Sequence, residues 1–196
     1  MSIDRLLKDT EAMPLEMDIL GKMSGKAHRT RVMQFSKVEA AKNLSELINA
    51  EHPFLIILIM DNREPDAKVG HYIALFLRDA GKEVVFFDSY GHALSPLLKL
   101  LKHGNKINLL IKESGKRLAM NRTKFQSESN KISTCGRWCA VRIRYSDMSN
   151  ENFARFMKSS LLNGDQIVTM LTMVYASHKD GHHDSAGGRE IEHLLR

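Results

Sequence analysis

The sequence predicts an α+β domain in which helices flank a short central mixed or antiparallel sheet. The chain has 196 residues, of which 43% are hydrophobic and 27% charged, enough to bury one sizeable core. Short apolar runs cluster between residues 54 and 111, whereas segments of helical periodicity precede and follow that cluster. We therefore expect a single domain over residues 1–177, followed by a flexible polar tail over residues 178–196.

The region before the sheet is expected to be mostly helical. Residues 1–20 carry apolar side chains at the spacing of a weak amphipathic helix, which Pro14 interrupts. Residues 21–31 contain two glycines and several basic residues, so we expect a basic loop there. A second helix is predicted from about Lys37 to Ala50, where apolar residues recur on one side.

The strands are predicted from the apolar runs. Phe54–Met60 is short and β-branched enough for a buried central strand. His71–Leu77 and Glu83–Phe87 are expected to pair as a hairpin, because turn-forming residues at 79–81 join them. One more short strand is expected over Lys106–Ile111.

The remaining segments are expected to be helices. Ser95 is a candidate N-cap and Pro96 a favoured first-turn residue for a helix that runs to about Lys102. A polar stretch follows the last predicted strand. Helical periodicity then returns and predicts three more helices, over residues 135–145, 149–160 and 165–177.

Composition excludes several classes of protein. Cys135 and Cys139 are the only cysteines, too few for a disulfide scaffold or for a zinc site with four Cys ligands. The longest apolar run, Phe54–Met60, is far shorter than the ~20 residues that a membrane helix needs. The N-terminal region is interrupted by acidic residues and lacks the apolar segment of a signal peptide. We therefore expect an intracellular protein with no membrane partner.

The positive charge is concentrated in two segments. The formal net charge is +6, and basic residues cluster over residues 21–42 and 99–131. Such clusters can contact nucleic acid through phosphates without reading its sequence, although a solvated basic face is the simpler interpretation. The sequence shows no nucleic-acid-binding motif. Non-specific DNA is therefore an accessory partner to be tested, and it is not the predicted function.

Cys135 stands where a reactive thiol is favoured. A Ser/Thr-rich polar loop ends at this residue and a helical pattern begins. The free N–H groups and positive dipole end of a helix N-terminus favour thiolate, and such sites lower a cysteine pKa from about 8.5 to roughly 3.5–7.5. Gly136 would let a substrate carbonyl approach the backbone. The alternative is that Cys135 is a small buried core residue.

A base, an orienting acid and an oxyanion donor can be proposed for this thiol. His71 opens one predicted strand and Asp88 follows the next, so an antiparallel pairing places both at the same end of the sheet. Gln126, in the polar loop before Cys135, can offer an amide N–H to a developing oxyanion. Each residue also has an ordinary structural interpretation, as a strand-end histidine, a turn aspartate and a surface glutamine.

Together these residues match a family pattern. The segments that carry it are Gly70-His71-Tyr72, Phe87-Asp88-Ser89-Tyr90-Gly91, Phe125-Gln126 and Ser133-Thr134-Cys135-Gly136-Arg137-Trp138-Cys139. Their order, and the seventeen residues from the histidine to the acid, resemble the adenain and SUMO-protease superfamily of cysteine peptidases (clan CE). The likeness covers about residues 50–145. It looks most like the maturation proteases of adenoviruses, virophages and Polinton-type elements.

The resemblance implies a cysteine endopeptidase that cleaves viral capsid or core precursors at Gly-containing sites during virion maturation. It implies Cys135 as nucleophile, His71 as base, Asp88 as orienting acid and Gln126 as oxyanion donor. It implies no required cofactor, with DNA as an activator, and a location in the virion and the host-cell virus factory.

Two features depart from the family pattern. Gln126 lies nine residues before Cys135, a few more than is usual, so the loop between them is longer. Tyr72 replaces the commoner tryptophan after the histidine, and its ring is expected to pack over the imidazole.

Two other functions remain open from the sequence. One is a peptidase of ubiquitin-like modifiers, as in the SUMO-protease branch, which needs a broad surface for a folded substrate. The other is a non-enzymatic basic domain that binds nucleic acid, in which Cys135 and His71 are core residues. Four histidines in the tail suggest a metal site, but a solvated tail is the better interpretation: His178, His182, His183 and His193.

Overall fold

The computed structural model describes residues 3–13, 15–63, 70–129, 132–159 and 162–177, so the predicted tail and its histidines lie outside the described residues. Within these ranges the chain forms eight α-helices and five strands. The helices are α1 (Ile3–Ala12), α2 (Met17–Met23), α3 (Phe35–Ala40), α4 (Leu94–Leu100), α5 (Lys106–Glu113), α6 (Cys135–Arg144), α7 (Asn150–Lys158) and α8 (Gly164–Ser177). The strands are β1 (Thr30–Gln34), β2 (Phe54–Met60), β3 (Gly70–Arg78), β4 (Glu83–Phe87) and β5 (Arg117–Met120).

The strands form one mixed sheet in the order β1-β2-β3-β4-β5. The two outer pairs, β1 with β2 and β4 with β5, are parallel. The inner pairs are antiparallel, and β3 and β4 form the predicted hairpin with Ala74 opposite Phe87 and Arg78 opposite Glu83. The α+β architecture with a short central sheet is confirmed.

Both faces of the sheet are covered, because apolar side chains on the central strands point alternately to opposite sides. On β2, Leu55 and Ile57 pack against α3, α4 and α5, whereas Phe54 and Ile56 face α2, α6, α7 and α8. The helix α6 lies at the centre of the second layer, where it packs on β3, α2 and α8. Every residue from Gly136 to Ile143 is buried. This helix is therefore held rigidly from several sides.

The two edge strands were not predicted. The region expected to be a basic loop, residues 21–31, instead contains the end of α2, a short 3-10 helix and the start of β1. The polar stretch before Cys135 contains β5. No side chain of β1 or β5 is fully buried, and their apolar runs, of two and three residues, are shorter than those that mark β2 to β4. Their positions depend on pairing with distant strands.

The segment over residues 106–111 is helix α5, so the strand predicted there is wrong. Ile107, Leu110 and Ile111 are buried, whereas Leu109 is 49% exposed. Burial at positions separated by three and four residues is the pattern of a helix that covers the sheet with one face. A short apolar run is compatible with either element, and only its packing decides between them.

Two predicted helices, one before β2 and one after β4, begin or end at other residues than predicted. The helix predicted from Lys37 to Ala50 stops at Ala40, and Asn43 then caps a short 3-10 turn through its side chain. The helix predicted with Ser95 as its N-cap instead has Ala93 in the cap position, two residues earlier, and Leu94 as its first residue. The predicted helices near residues 1–20, 135–145, 149–160 and 165–177 are present, the first as α1 and α2.

Candidate active site

Cys135 is the first residue of α6, as the sequence predicts. Trp138 is the first residue whose N–H bonds back along the helix, to the Thr134 carbonyl at 2.9 Å. The N–H groups of Cys135, Gly136 and Arg137 therefore have no partner from the helix backbone and make this end electropositive. The thiol itself is half-buried and is not in a disulfide.

The hairpin brings His71 and Asp88 together. Pairing between β3 and β4 ends at Ala74 opposite Phe87, so His71 lies three residues before the last pair and Asp88 directly after it. His71 Nε2 donates to Asp88 Oδ1 at 2.5 Å, and the Asp88 side chain is fully buried. Since Nε2 is used in this way, Nδ1 is the ring nitrogen left to face Cys135.

Charges stabilise a thiolate next to an imidazolium at this site. Burial lowers the pKa of His71, but hydrogen bonds and charges of Asp88 and Cys135 outweigh burial and raise that pKa to about 10. Burial raises the pKa of the Cys135 thiol, but the hydrogen bond and charge of His71, with the backbone N–H groups of Tyr72 and Gly136, lower it overall. The arrangement favours the nucleophilic form of the cysteine.

Asp88 uses both carboxylate oxygens. While Oδ1 accepts from His71, Oδ2 accepts from the backbone N–H and from Nδ1 of His92, each at 2.8 Å. Asn121 holds the Asp88 backbone: its Oδ1 accepts from the Asp88 N–H at 2.9 Å and its Nδ2 donates to the Asp88 carbonyl at 2.7 Å. Neither partner was predicted from the sequence. His92 could have been proposed from the sequence, because it directly follows the Asp88–Gly91 segment and so had to lie close to Asp88.

The ring stacked on His71 is that of Tyr90, with centroids 5.3 Å apart and planes inclined by 28°. Tyr72 was the residue expected to pack over the His71 imidazole. Tyr72 instead points toward α2 and α6, where its hydroxyl donates to the Leu15 carbonyl at 3.2 Å. Adjacent residues of a strand point to opposite faces, so Tyr72 cannot share the side of His71 as readily as a residue from the next turn.

Gly136 has a packing role that the sequence did not reveal. A Cβ atom built on Gly136 would lie 3.0 Å from Leu20 Cδ2 and 3.2 Å from Tyr72 Cδ2. The residue therefore lets α2 and the Tyr72 ring approach the start of α6 closely. The expected reason for this glycine was access for a substrate carbonyl.

Gln126 is joined to the strand end that carries Asp88. Its backbone N–H donates to the Ser89 carbonyl at 3.0 Å, and its Oε1 accepts from Ser89 Oγ at 2.8 Å. Because the carbonyl end of the amide is used in this way, the Nε2 end remains as the donor that an oxyanion site requires. Gln126 is 2% exposed and, with Cys135, lines one cleft.

This cleft has a volume of about 590 Å³, and the reactive groups described above line it or lie directly behind its wall. Its lining includes three of the four predicted site residues, His71, Gln126 and Cys135, and Asp88 lies buried directly behind His71. Leu15 and Leu100 contribute apolar walls. A nucleophile, a base and an amide donor facing one cavity can carry out acyl transfer.

No group of three or more His, Cys, Asp or Glu side chains is arranged to hold a metal ion within the described ranges. Among the helices described, none combines the length and the apolar character required to cross a bilayer.

Comparison with known proteins gives a relative and a shared fold. No protein-family model matches the chain. An uncharacterized protein, V9, of Sputnik virophage is 30% identical over 123 residues, which span 56% of this chain and 70% of V9. The ASFV pS273R protease superposes with a TM-score of 0.50 at 13% identity, over 85% of this chain and 68% of the protease. ChlaDub1 from Chlamydia trachomatis superposes with a TM-score of 0.49 at 9% identity, over 84% and 91%.

Proposed function

Because this chain belongs to the same family as the virophage protein V9 and shares the fold of the ASFV pS273R protease, we propose that it is a cysteine endopeptidase. The observation that carries the proposal is the convergence of Cys135, His71 and Asp88 at one end of the sheet, beside Gln126. The activity is assigned to one peptidase domain over residues 1–177.

The proposed reaction follows from the positions of these atoms. Cys135 Sγ attacks the scissile carbonyl carbon, and the resulting oxyanion accepts from Gln126 Nε2 and from the Cys135 backbone N–H. His71 gives a proton to the leaving amine as the C–N bond breaks, which leaves a thioester on Cys135. His71 then takes a proton from water, which attacks the thioester and releases the acid. Asp88 holds the imidazole orientation throughout.

We propose viral capsid or core precursors, cut at Gly-containing sites during virion maturation, as the substrates. The resemblance of the site segments to adenain-type enzymes and the relationship to a virophage protein support this choice. The expected location is then the virion and the host-cell virus factory, and the protein partners are the precursor polypeptides. No cofactor takes part in the proposed chemistry, and DNA is proposed as an activator through the exposed basic residues.

The test combines labelling of the thiol with cleavage assays on wild type and three variants. Iodoacetamide labelling followed by intact mass should be fast and confined to Cys135, and His71→Ala should slow it by at least about tenfold. Cys135→Ala and His71→Ala should both abolish cleavage of a Gly-containing peptide library. Cys139→Ala is the matched control: burial raises the pKa of Cys139 well above its ordinary value, so labelling and cleavage should be unchanged.

Labelling at the rate of an ordinary thiol, with no cleavage in the presence or absence of DNA, would contradict the proposal. Cleavage only of a folded ubiquitin-like protein with a C-terminal extension would identify a modifier peptidase instead. Salt-dependent DNA binding without any peptidase activity would leave the non-enzymatic basic domain as the function.

A further inference from the structure

The oxyanion site requires a fixed distance between Gln126 and Cys135, which a loop connects. On the proposed function, one oxyanion donor is the Gln126 side chain and the other is the Cys135 N–H, so the two donors sit at opposite ends of this loop. Residues 127–134 separate them along the chain. A loop of this length does not by itself fix the separation of its ends, so contacts with the rest of the fold must do so.

Asp165 supplies such contacts to both ends. It is the second residue of α8 and is 1% exposed. Its Oδ2 accepts from the Ser127 backbone N–H at 2.9 Å, directly after Gln126. Its Oδ1 accepts from Oγ1 of Thr134, the residue directly before Cys135, at 2.5 Å. The same oxygen accepts at 2.9 Å from Nε1 of Trp138, which lies in the first turn of α6.

Gly164 brings the start of α8 close enough for these bonds. A Cβ atom built on Gly164 would lie 2.7 Å from Trp138 Cζ2 and 3.4 Å from the Phe125 carbonyl oxygen. The N-terminus of α8 therefore touches the chain just before Gln126 and again on α6. An ionised carboxylate is costly to bury unless it is hydrogen-bonded, and here three protein donors and the helix N-terminus stabilise it.

We propose that Asp165 is a positioning residue that sets the separation between the two oxyanion donors. It acts through the neighbours of Gln126 and Cys135 and does not touch the substrate. Asn at this position keeps one acceptor oxygen for Thr134 and Trp138 but turns an amide N–H₂ toward the Ser127 N–H. The bond that holds the loop directly after Gln126 is then lost and only the Ser89 contacts hold that end, while the end at Cys135 stays in place.

A double-mutant cycle tests this role on the peptide that wild type cleaves best from the Gly-containing library. Asp165→Asn should lower kcat by about 10- to 100-fold, less than the 10²- to 10³-fold that loss of an oxyanion donor typically costs. KM and the rate at which iodoacetamide labels Cys135 should change by less than about threefold, because oxyanion contacts form only in the transition state. In a Gln126→Ala background, Asp165→Asn should lower kcat by less than about threefold more.

The control is Glu151→Gln, which removes a carboxylate from the same second position of the neighbouring helix α7, where it is exposed. It should leave kcat unchanged. Hydrogen exchange at the Ser127 amide should accelerate in Asp165→Asn and stay at the wild-type rate in Glu151→Gln.

Three results would overturn the role of Asp165. They are a full multiplicative loss of kcat in the double variant, equal loss of labelling and cleavage, or unchanged exchange at Ser127. These readouts separate the inference from the proposed function. If wild type cleaves nothing, the peptidase proposal fails on that result alone, while the exchange experiment still reports on whether Asp165 holds the loop.

Discussion

At the scale of single residues, Asp88 and its contacts organise the site. The carboxylate is fully buried and its two oxygens meet two imidazoles, those of His71 and His92. Although burial raises the pKa of Asp88, hydrogen bonds and charge from both histidines lower it overall. The ionised carboxylate in turn keeps a proton on His71, and that positive charge favours the Cys135 thiolate.

These shifts predict the pH profile of kcat/KM. The pKa of Cys135 is lowered, so activity should persist below the pH at which an ordinary thiol of pKa about 8.5 protonates. The pKa of His71 is raised to about 10, so activity should fall only as pH rises through that value. Asp88→Asn removes the charge behind both shifts. Its alkaline limb should move to lower pH, its acid limb to higher pH, and its maximal rate should fall by about 10²- to 10⁴-fold.

The matched control for this profile is Asp79→Asn, in the turn at the far end of the same hairpin. Asp79 has a positive φ of 53°, which Asn tolerates well, so the turn is preserved. Its profile should coincide with that of wild type. An Asp88→Asn profile with unchanged limbs would contradict the electrostatic role given to Asp88.

At the scale of elements, the contact between α2 and α6 controls the position of the candidate nucleophile. Leu20 of α2 is fully buried and lies against Gly136, the residue after Cys135. Leu15, just before α2, lines the cleft and accepts from the Tyr72 hydroxyl. Ser133 donates its backbone N–H to the Glu11 carbonyl of α1 at 2.7 Å. The N-terminal helices therefore form part of the wall beside the thiol.

This packing predicts that the cost of Gly136→Ala in stability depends on residue 20. In wild type the new methyl group overpacks the contacts with Leu20 and Tyr72, at about 1–3 kcal/mol, and Gly136, as the second residue of α6, gains less than the ~1 kcal/mol of helix propensity that an interior position would. Leu20→Ala alone should destabilise by about 2–5 kcal/mol. In the Leu20→Ala background, Gly136→Ala should cost less than in wild type, because only the close contact with Tyr72 remains. Urea unfolding of the four proteins measures the cycle, and a stabilising Gly136→Ala in wild type would contradict it.

At the scale of the whole molecule, the cations of each basic segment divide into those that bond to other parts of the fold and those that are exposed. In the first segment, Lys26 donates to the Ile143 carbonyl and to Ser146 Oγ, and Arg31 donates to the Glu46 carbonyl. These cations join elements of the fold. In the second segment, Lys99 on α4 and Lys112 on α5 are exposed. Lys37 and Lys42 of the first segment are exposed as well, and we propose Lys99 and Lys112 as the lysines that meet DNA.

This assignment predicts a salt dependence. If each lysine neutralises one phosphate, Lys99→Gln/Lys112→Gln should reduce the slope of log K against log salt concentration by about 1.8 and weaken stimulation of cleavage by DNA. Lys37→Gln/Lys42→Gln changes the net charge equally at two other exposed lysines and should reduce the slope less. Fluorescence anisotropy with a duplex at several salt concentrations makes the comparison. Equal slopes for the two double variants would place the DNA contacts elsewhere.

Volume alone would have pointed to another part of the molecule. A larger cavity, of about 880 Å³, lies beside the β3–β4 turn at the opposite end of the sheet, lined by residues such as Ile48, Pro53, Asp79 and Lys116. Neither cysteine of the chain is in its lining. The candidate site is therefore identified by its combination of a thiolate, a charged imidazole and an amide donor. The size of a cavity does not identify it.

The parts of the protein that have a local signal could be predicted from the amino-acid sequence alone. The apolar runs of β2, β3 and β4, the turn between the last two, and the start of α6 at Cys135 all follow from residues close together in the chain. The meeting of His71 with Asp88 could be anticipated for the same reason, because a hairpin joins them directly. The choice of Gln126 also required only its place in the loop before Cys135.

Features that depend on distant partners are visible in the tertiary structure and not in the sequence. β1 and β5 are short and partly buried, and they exist because β2 and β4 offer them backbone partners. α5 is a helix because one of its faces covers the sheet. The position of Tyr90 over His71 and the approach of Leu20 to Gly136 are packing results. Asp165 reaches Ser127 across 38 residues, a contact with no local pattern, because a buried carboxylate takes whichever donors the fold brings to it.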